Sequence, residues 1–352
     1  MNPNPFLGVF LHALGGFAAG SFYIPYKGVR KWAWESYWLA GGVFSWIFAP
    51  WVIAWLTCPD PVSVLRGAPL SSLFWSYAFG LLWGIGGLTF GLSMRYLGMS
   101  LGYALALGFC AAFGTIIPPI FKGEFADLLS LASGRITLAG VAVCLIGIAV
   151  CGKAGVSKER ELSSEQKKAA IREFDFMKGV WVAVFAGIMS ACMAFAIQAG
   201  KPIAKLAVES GTRELWQNTP VFIVILAGGF TTNFIWCGIL NVRNRTARDY
   251  IDAGGASLAV NYVLSALAGI TWYLQFMFYG MGTTQMGRYD FSSWTIHMAF
   301  IIVFSSIWAI QFREWKGSSR RTHHIVFAGI IILIASTLVV GYGNYIAAVM
   351  KE

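Results

Sequence analysis

Charge is scarce in this sequence: Asp, Glu, Lys and Arg make up 12% of 352 residues, about half the roughly 25% usual in a soluble domain. That shortage points away from a soluble protein and toward a polytopic membrane protein. Recognisable catalytic motifs are also missing. There is no HExxH, GxSxG or Walker loop, and no acidic pair with metal spacing inside an apolar run, so nothing here asks for an enzyme. The six cysteines (Cys58, Cys110, Cys144, Cys151, Cys192 and Cys237) show no CxxC spacing. They read as small apolar packing residues, and no disulfide framework or metal site is implied. Finally, no Lys or Arg precedes Lys27, which argues against the basic n-region of a cleaved signal peptide.

What the chain does have is hydrophobic length: 57% of its residues are apolar and 16% aromatic. A hydrocarbon core about 30 Å thick takes roughly 20 helical residues to cross. Stretches of that kind occur near 5–26, 37–57, 71–93, 99–120, 136–152, 178–200, 217–240, 257–281, 291–312 and 325–348. They are far too long for the strands of a membrane barrel. The sequence therefore predicts an all-α polytopic membrane protein with ten transmembrane helices. Pro25 and Pro220 mark helix ends, while Pro50, Pro118 and Pro119 lie where a kink is possible.

The net charge of +10 reports topology and not a polyanionic partner such as nucleic acid. Numbering the connections between spans in order, the odd ones hold 18 of the 26 basic residues. The positive-inside rule then puts the odd connections in the cytoplasm and both termini outside.

One connection, 153–176, is long and hydrophilic, and it divides the chain into two sets of five spans. An odd number of spans per half makes the second half run through the bilayer upside down, the inverted-repeat plan of many secondary transporters. Matching strings support this. Gly80 and Trp83 are followed by Phe90-Gly91, and Gly269 and Trp272 by Tyr279-Gly280, both fitting G-x-x-W-x6-[FY]-G. The expected organisation is a first five-helix repeat (1–152), a cytoplasmic linker (153–176) and a second repeat (177–352). Small residues spaced four apart, such as Gly80 with Gly84 and Gly87 with Gly91, are read as helix-packing positions.

Ionisable groups at membrane depth are costly, so each is a site hypothesis. Glu35 opens the second span, Asp290 opens the ninth, and His12 and His297 lie within spans. Asp290, Ser293, Trp294 and His297 fall at i, i+3, i+4 and i+7, which would line one helical face. Two readings of Asp290 stand: a helix N-cap, or a carboxylate that takes and releases a proton. His297 is either a core histidine satisfied by a neighbour or a proton carrier. In the eighth span Trp272, Gln275 and Tyr279 again share a face. They suit a neutral polyhydroxylated ligand with an apolar patch, or else serve as belt aromatics and a helix-bridging amide.

Four blocks, "FYIPYKGVRKWAWESYW" (22–38), "MRYLGMSLG" (94–102), "WYLQFMFYG" (272–280) and "YDFSSWTIHMAF" (289–300), resemble the bacterial L-rhamnose/proton symporter family of the drug/metabolite transporter superfamily. Gly-Lys-Pro at 200–202 and Glu-Trp at 314–315 extend the likeness over essentially the whole chain. The connection 280–288 and the length of the 153–176 loop depart from it. The resemblance implies ten helices in two inverted repeats, with spans five and ten supporting a central site. It also implies uptake of L-rhamnose or a related 6-deoxy sugar with a co-transported proton across the inner membrane; no cofactor is expected, and the working unit is read as a monomer or homodimer. His12, Glu35, Arg95, Gln275, Asp290 and His297 lie in the matching stretches. On this reading Trp272, Gln275, Tyr279, Trp294 and His297 hold the sugar. Asp290 or His297 carries the proton, with Glu35 in reserve and His12 and Arg95 as further candidates. The rival readings are an exporter or exchanger of another small metabolite, a sugar sensor that moves nothing, and a membrane enzyme.

Overall fold

The computed structural model describes residues 3–97, 99–161, 176–313 and 315–350. Glu314, residues 162–175 of the connecting loop and the side chain of Arg95 lie outside the described residues. Among those that are described, regular structure is entirely helical, as backbone groups in lipid require when no closed barrel satisfies them.

Among the described residues, nine helical segments are long and apolar enough to cross a membrane, and a further apolar helix, Leu105–Phe121 as measured for hydropathy, is shorter. The ten expected stretches correspond to α1 (Pro5–Ser21) with α2 (Tyr23–Tyr26), α3 (Trp34–Gly42) with α4 (Ala49–Thr57), α6 (Leu70–Leu97), α7 (Met99–Phe121), α9 (Ala132–Glu161), α10 (Phe176–Ala199), α12 (Thr219–Asn244), α13 (Leu258–Thr283), α14 (Ser293–Gln311) and α15 (Arg320–Met350). Three short helices lie between them: α5 (Pro61–Gly67), α8 (Phe125–Ser130) and α11 (Lys201–Glu209). At the start of α5 the Asp60 carboxylate accepts from the Ser63 hydroxyl at 2.6 Å and the Ser63 amide at 3.0 Å. Those bonds hold its carboxyl below the usual range.

Two compact units emerge, each drawing segments from both halves of the chain. One comprises residues 18–85 and 195–280, the other 1–17, 86–194 and 281–352.

In the first unit a π-helical turn, Val43–Phe48, joins α3 to α4. Pro50 explains it: proline has no N–H for the Trp46 carbonyl four residues back, and the Ala49 N–H reaches five residues back to Phe44 instead. Helices in this unit touch at glycines. A Cβ at Gly80 of α6 would strike the Ile225 carbonyl of α12, and one at Gly228 would strike the Tyr77 carbonyl. Thr232 Oγ1 donates to the Leu81 carbonyl at 2.9 Å across the same crossing. Gly269 of α13 meets α3 in the same way, backbone against backbone at Gly41. With little hydrophobic drive between helices in lipid, such close approach supplies the packing. Gly80 and Gly84 thus act as expected, whereas Gly87 and Gly91 have nothing within 4 Å of a built Cβ among the described residues.

In the second unit α9 and α15 run antiparallel in register. Glycines on one meet side chains on the other: Gly343 at Thr137, Gly140 at Val340, Gly147 at Leu333 and Gly329 at Cys151. The seam continues past the expected span end at 152, because α9 stays helical to Glu161. There the Glu161 carboxylate accepts from the Ser319 amide and hydroxyl and from Thr322 Oγ1, each at 2.6 Å. The Ser319 hydroxyl, then Thr322, hold its carboxyl down at about 2.

Candidate functional site

Five aromatic rings in the first unit form a closed circuit. Ring centroids lie 6.5 Å apart from Trp272 to Trp38, 6.1 Å from Trp38 to Trp46, 6.3 Å from Trp46 to Trp83, 5.4 Å from Trp83 to Phe276 and 6.2 Å from Phe276 back to Trp272. The five come from α3, the π-turn, α6 and α13. Phe22 adds a sixth ring, 4.0 Å from Trp272. The glycine contacts hold these helices close enough for it: Gly80 and Gly269 each stand three residues ahead of a tryptophan of the circuit, Trp83 and Trp272.

The polar atoms on this circuit divide into two kinds. Trp38 Nε1 donates to Asn233 Oδ1 at 3.0 Å. Among the described residues, Trp46 Nε1, Trp272 Nε1 and Gln275 Nε2 are buried and have no hydrogen-bond partner. Buried donors are nearly always paired, and leaving one unpaired costs about 1–3 kcal/mol. Three of them beside aromatic faces suit a ligand with several hydroxyl oxygens and an apolar edge. Tyr279, two turns beyond Trp272 on α13, is buried at 4% exposure. Of the residues in this cluster, the sequence reading named Trp272, Gln275 and Tyr279. It missed Trp38, Trp46 and Phe276, and used Trp83 only as a repeat marker, although the G-x-x-W string shared by Trp83 and Trp272 was the available signal.

The ninth-span residues belong to the other unit. His297 on α14 and His12 on α1 are both buried, with ring centroids 6.2 Å apart and an interplanar angle of 65°. Gly282 packs on the His12 ring: a Cβ there would come within 2.7 Å of its Cε1. Close by on α14, Thr295 Oγ1 pairs with Thr115 Oγ1 at 2.6 Å. Trp294 is held by α7, its Nε1 donating to the Cys110 carbonyl at 3.0 Å and its ring filling the space beside Gly114.

Asp290 sits in a 3-10 turn, Gly287–Ser292, broken by the non-helical Tyr289 (φ −100°, ψ 43°). The α-helix starts only at Ser293, with Ser292 at the N-cap. The N-cap reading of Asp290 is therefore corrected, and the regular helical face extends from Ser293 through Trp294 to His297 without it.

Glu35 is buried at 5% exposure in the first unit. Its Oε1 accepts from Asn244 Nδ2 at 2.9 Å and from Thr246 Oγ1 at 2.8 Å. Next to it Ser36 Oγ and the Ala33 amide both donate to Asp249 Oδ2 at 2.8 Å. The carboxylates of Glu35 and Asp249 thus tie the start of α3 to the chain leaving α12. No cluster of side chains with metal-ligating potential occurs among the described residues.

A family model described as L-rhamnose-proton symport protein matches residues 1–347. A protein named L-rhamnose-proton symporter from Cronobacter sakazakii is 38% identical over 340 residues, covering 96% of this chain and 97% of its own length. One of the same name from Citrobacter koseri is 37% identical over 340 residues, with the same coverage. Another from Yersinia pestis is 37% identical over 346 residues, or 97% of this chain and 99% of the relative. By the match over nearly all of its length, the chain belongs to the L-rhamnose-proton symport protein family.

Proposed function

We propose that this chain carries L-rhamnose, or a closely related 6-deoxy sugar, inward across the bacterial inner membrane together with a proton, by alternating access. The observation that carries this reading is the aromatic circuit with its three unpaired buried donors. A deoxyhexose lays its methyl group and C–H face on the indoles, and its hydroxyl oxygens accept from Trp46, Trp272 and Gln275. Tyr279 extends the same helical face. The names of the relatives supply the sugar and the coupling ion.

Proton coupling falls to His12 and His297. Two imidazoles this close in a buried setting do not both hold a charge, so the pair takes up one proton at a time. Asp290 is the second candidate for the proton. Glu35, with two donors fixed on one oxygen, has the bonding of a clasp. Trp294 shapes the proton site from its bond to Cys110. A single charge moving down about 100 mV supplies roughly 2.3 kcal/mol, enough for about fifty-fold accumulation.

The proposed architecture is ten spans in two inverted five-helix repeats, residues 1–152 and 177–352, with a cytoplasmic linker and both termini periplasmic. The matched roles of Gly80 with Trp83 and Gly269 with Trp272 support the repeat. The basic odd-numbered connections support the orientation. No cofactor beyond the proton is needed, and the working unit is a monomer or homodimer.

The test is uptake of labelled L-rhamnose by proteoliposomes holding the purified chain. An inward proton gradient should drive accumulation that a protonophore abolishes. Uptake indifferent to the gradient, or efflux alone, would favour an exchanger or exporter.

A further inference from the structure

Helix α12 supplies none of the five rings of the aromatic circuit, yet three of its residues each touch a different tryptophan there. A Cβ at Gly229 would run into the Trp83 ring, and the Phe230 ring lies 6.5 Å from that of Trp46. One turn on, Asn233 Oδ1 accepts from Trp38 Nε1 at 3.0 Å. The Asn233 amide has a fixed sense, because its Nδ2 donates to the Gly229 carbonyl at 2.8 Å. Flipped, it would set donor against donor at Trp38 and acceptor against acceptor at Gly229. Asn233 is buried, so both bonds are shielded from solvent.

That bond gives Trp38 a different character from its neighbours in the circuit. The donors of Trp46, Trp272 and Gln275 have no partner among the described residues, whereas the Trp38 N–H is engaged before any ligand arrives. Trp34 stacks on the Trp38 ring, 5.3 Å between centroids at 19°, and Phe22, which has no polar atom, packs 6.2 Å away. Trp38 therefore offers a ligand ring carbon and no donor. Such a corner suits the one substituent of a 6-deoxyhexose that carries no oxygen, its C6 methyl. We propose, resting on the sugar reading above, that Asn233 is a positioning residue that sets selectivity for the 6-deoxy sugar. It touches no sugar itself; by holding the Trp38 N–H away from the ligand it keeps the corner at C6 apolar. A C6 hydroxyl placed there gives up its bonds to water and gains none from Trp38.

L-Mannose differs from L-rhamnose only by a hydroxyl on C6, so the ratio in which the two displace labelled L-rhamnose from the purified full chain reads this corner. The wild type should favour L-rhamnose. Asn233→Leu frees the Trp38 N–H for a C6 hydroxyl and should narrow the ratio about two- to tenfold, the worth of one hydrogen bond. Asn233→Ala, which removes the acceptor without adding bulk, should narrow it alike. In a Trp38→Phe background there is no N–H to free, and Asn233→Leu should leave the ratio unchanged. A merely structural role for Asn233 would instead weaken both sugars together. Melting temperatures confirm that each variant is folded. An unchanged ratio in folded Asn233→Leu and Asn233→Ala, or equal narrowing with and without Trp38, would overturn the assignment and leave the sugar reading standing. Failure of the wild type to bind L-rhamnose at all would overturn the sugar reading, and this assignment with it.

Discussion

The imidazoles of His12 and His297 meet edge to face inside the protein, 6.2 Å between centroids, although 285 positions separate them in the chain. Each ring is almost wholly shielded from solvent. A proton on either one is felt at once by the other, and this makes the pair the natural place to read protonation state. His297→Gln and His12→Gln should therefore each retain exchange of labelled sugar at equilibrium while losing accumulation driven by a pH gradient. Counterflow and gradient-driven uptake, measured side by side in proteoliposomes, separate the two. Intact gradient-driven accumulation in both variants would move the proton to Asp290.

At the aromatic circuit, Gln275→Leu keeps the bulk of the side chain and removes its donor. The expected loss is about 1–3 kcal/mol, or roughly five- to hundredfold in sugar affinity. Trp46→Phe, which keeps an aromatic ring and removes only the Nε1 donor, should fall at the lower end. Quenching of tryptophan fluorescence by L-rhamnose measures both. Unchanged affinity in the two variants would leave the unpaired donors without this ligand.

Gly269 and Gly91 make opposite predictions from the same substitution. A Cβ on Gly269 runs into the Gly41 backbone, which cannot swing aside like the end of a side chain. Gly269→Ala should cost about 1–3 kcal/mol. Gly91→Ala meets nothing among the described residues and should be neutral or stabilising, since alanine favours helix by about 1 kcal/mol. Melting curves of the two variants in one detergent give the comparison.

Glu161 predicts a pH dependence. Its carboxyl is depressed from 4.5 to about 2 in the folded protein. The stabilisation it gives is therefore fully present above about pH 4.5 and is lost as pH falls toward 2. Glu161→Gln should lower the melting temperature slightly at neutral pH, because the carboxylate is solvent-exposed and screened. The difference from wild type should shrink once the pH drops below 4.5. A difference that stays constant down to pH 3 would mean the Ser319 and Thr322 bonds contribute nothing through charge.

The positions of the spans were legible because lipid imposes a simple requirement: an unbroken apolar helical run of sufficient length. Where that requirement ends, so did the reading. Helix α9 continues past residue 152 through Lys153, Lys158 and Arg160, since hydropathy reports the edge of the bilayer and not the end of a helix. The regular face running back to Asp290 failed for a local reason, the kink at Tyr289, which no periodicity encodes. Glu35 stood out in the sequence as a charge at a span edge, but its partners Asn244 and Thr246 lie more than 200 residues away. The aromatic circuit was half visible. Trp272 and Gln275 share a helical face that spacing reveals. Trp38 and Trp46 join them only through a π-turn and a glycine contact between α3 and α13, both products of the fold.

The most direct test of proton-coupled sugar uptake is the external pH of lightly buffered, de-energised cells expressing the protein when L-rhamnose is added. Symport predicts prompt alkalinisation of the medium, abolished by a protonophore and absent in His297→Gln cells that still bind the sugar. No pH change with L-rhamnose or other 6-deoxy sugars, with the protein demonstrably in the membrane, would contradict it.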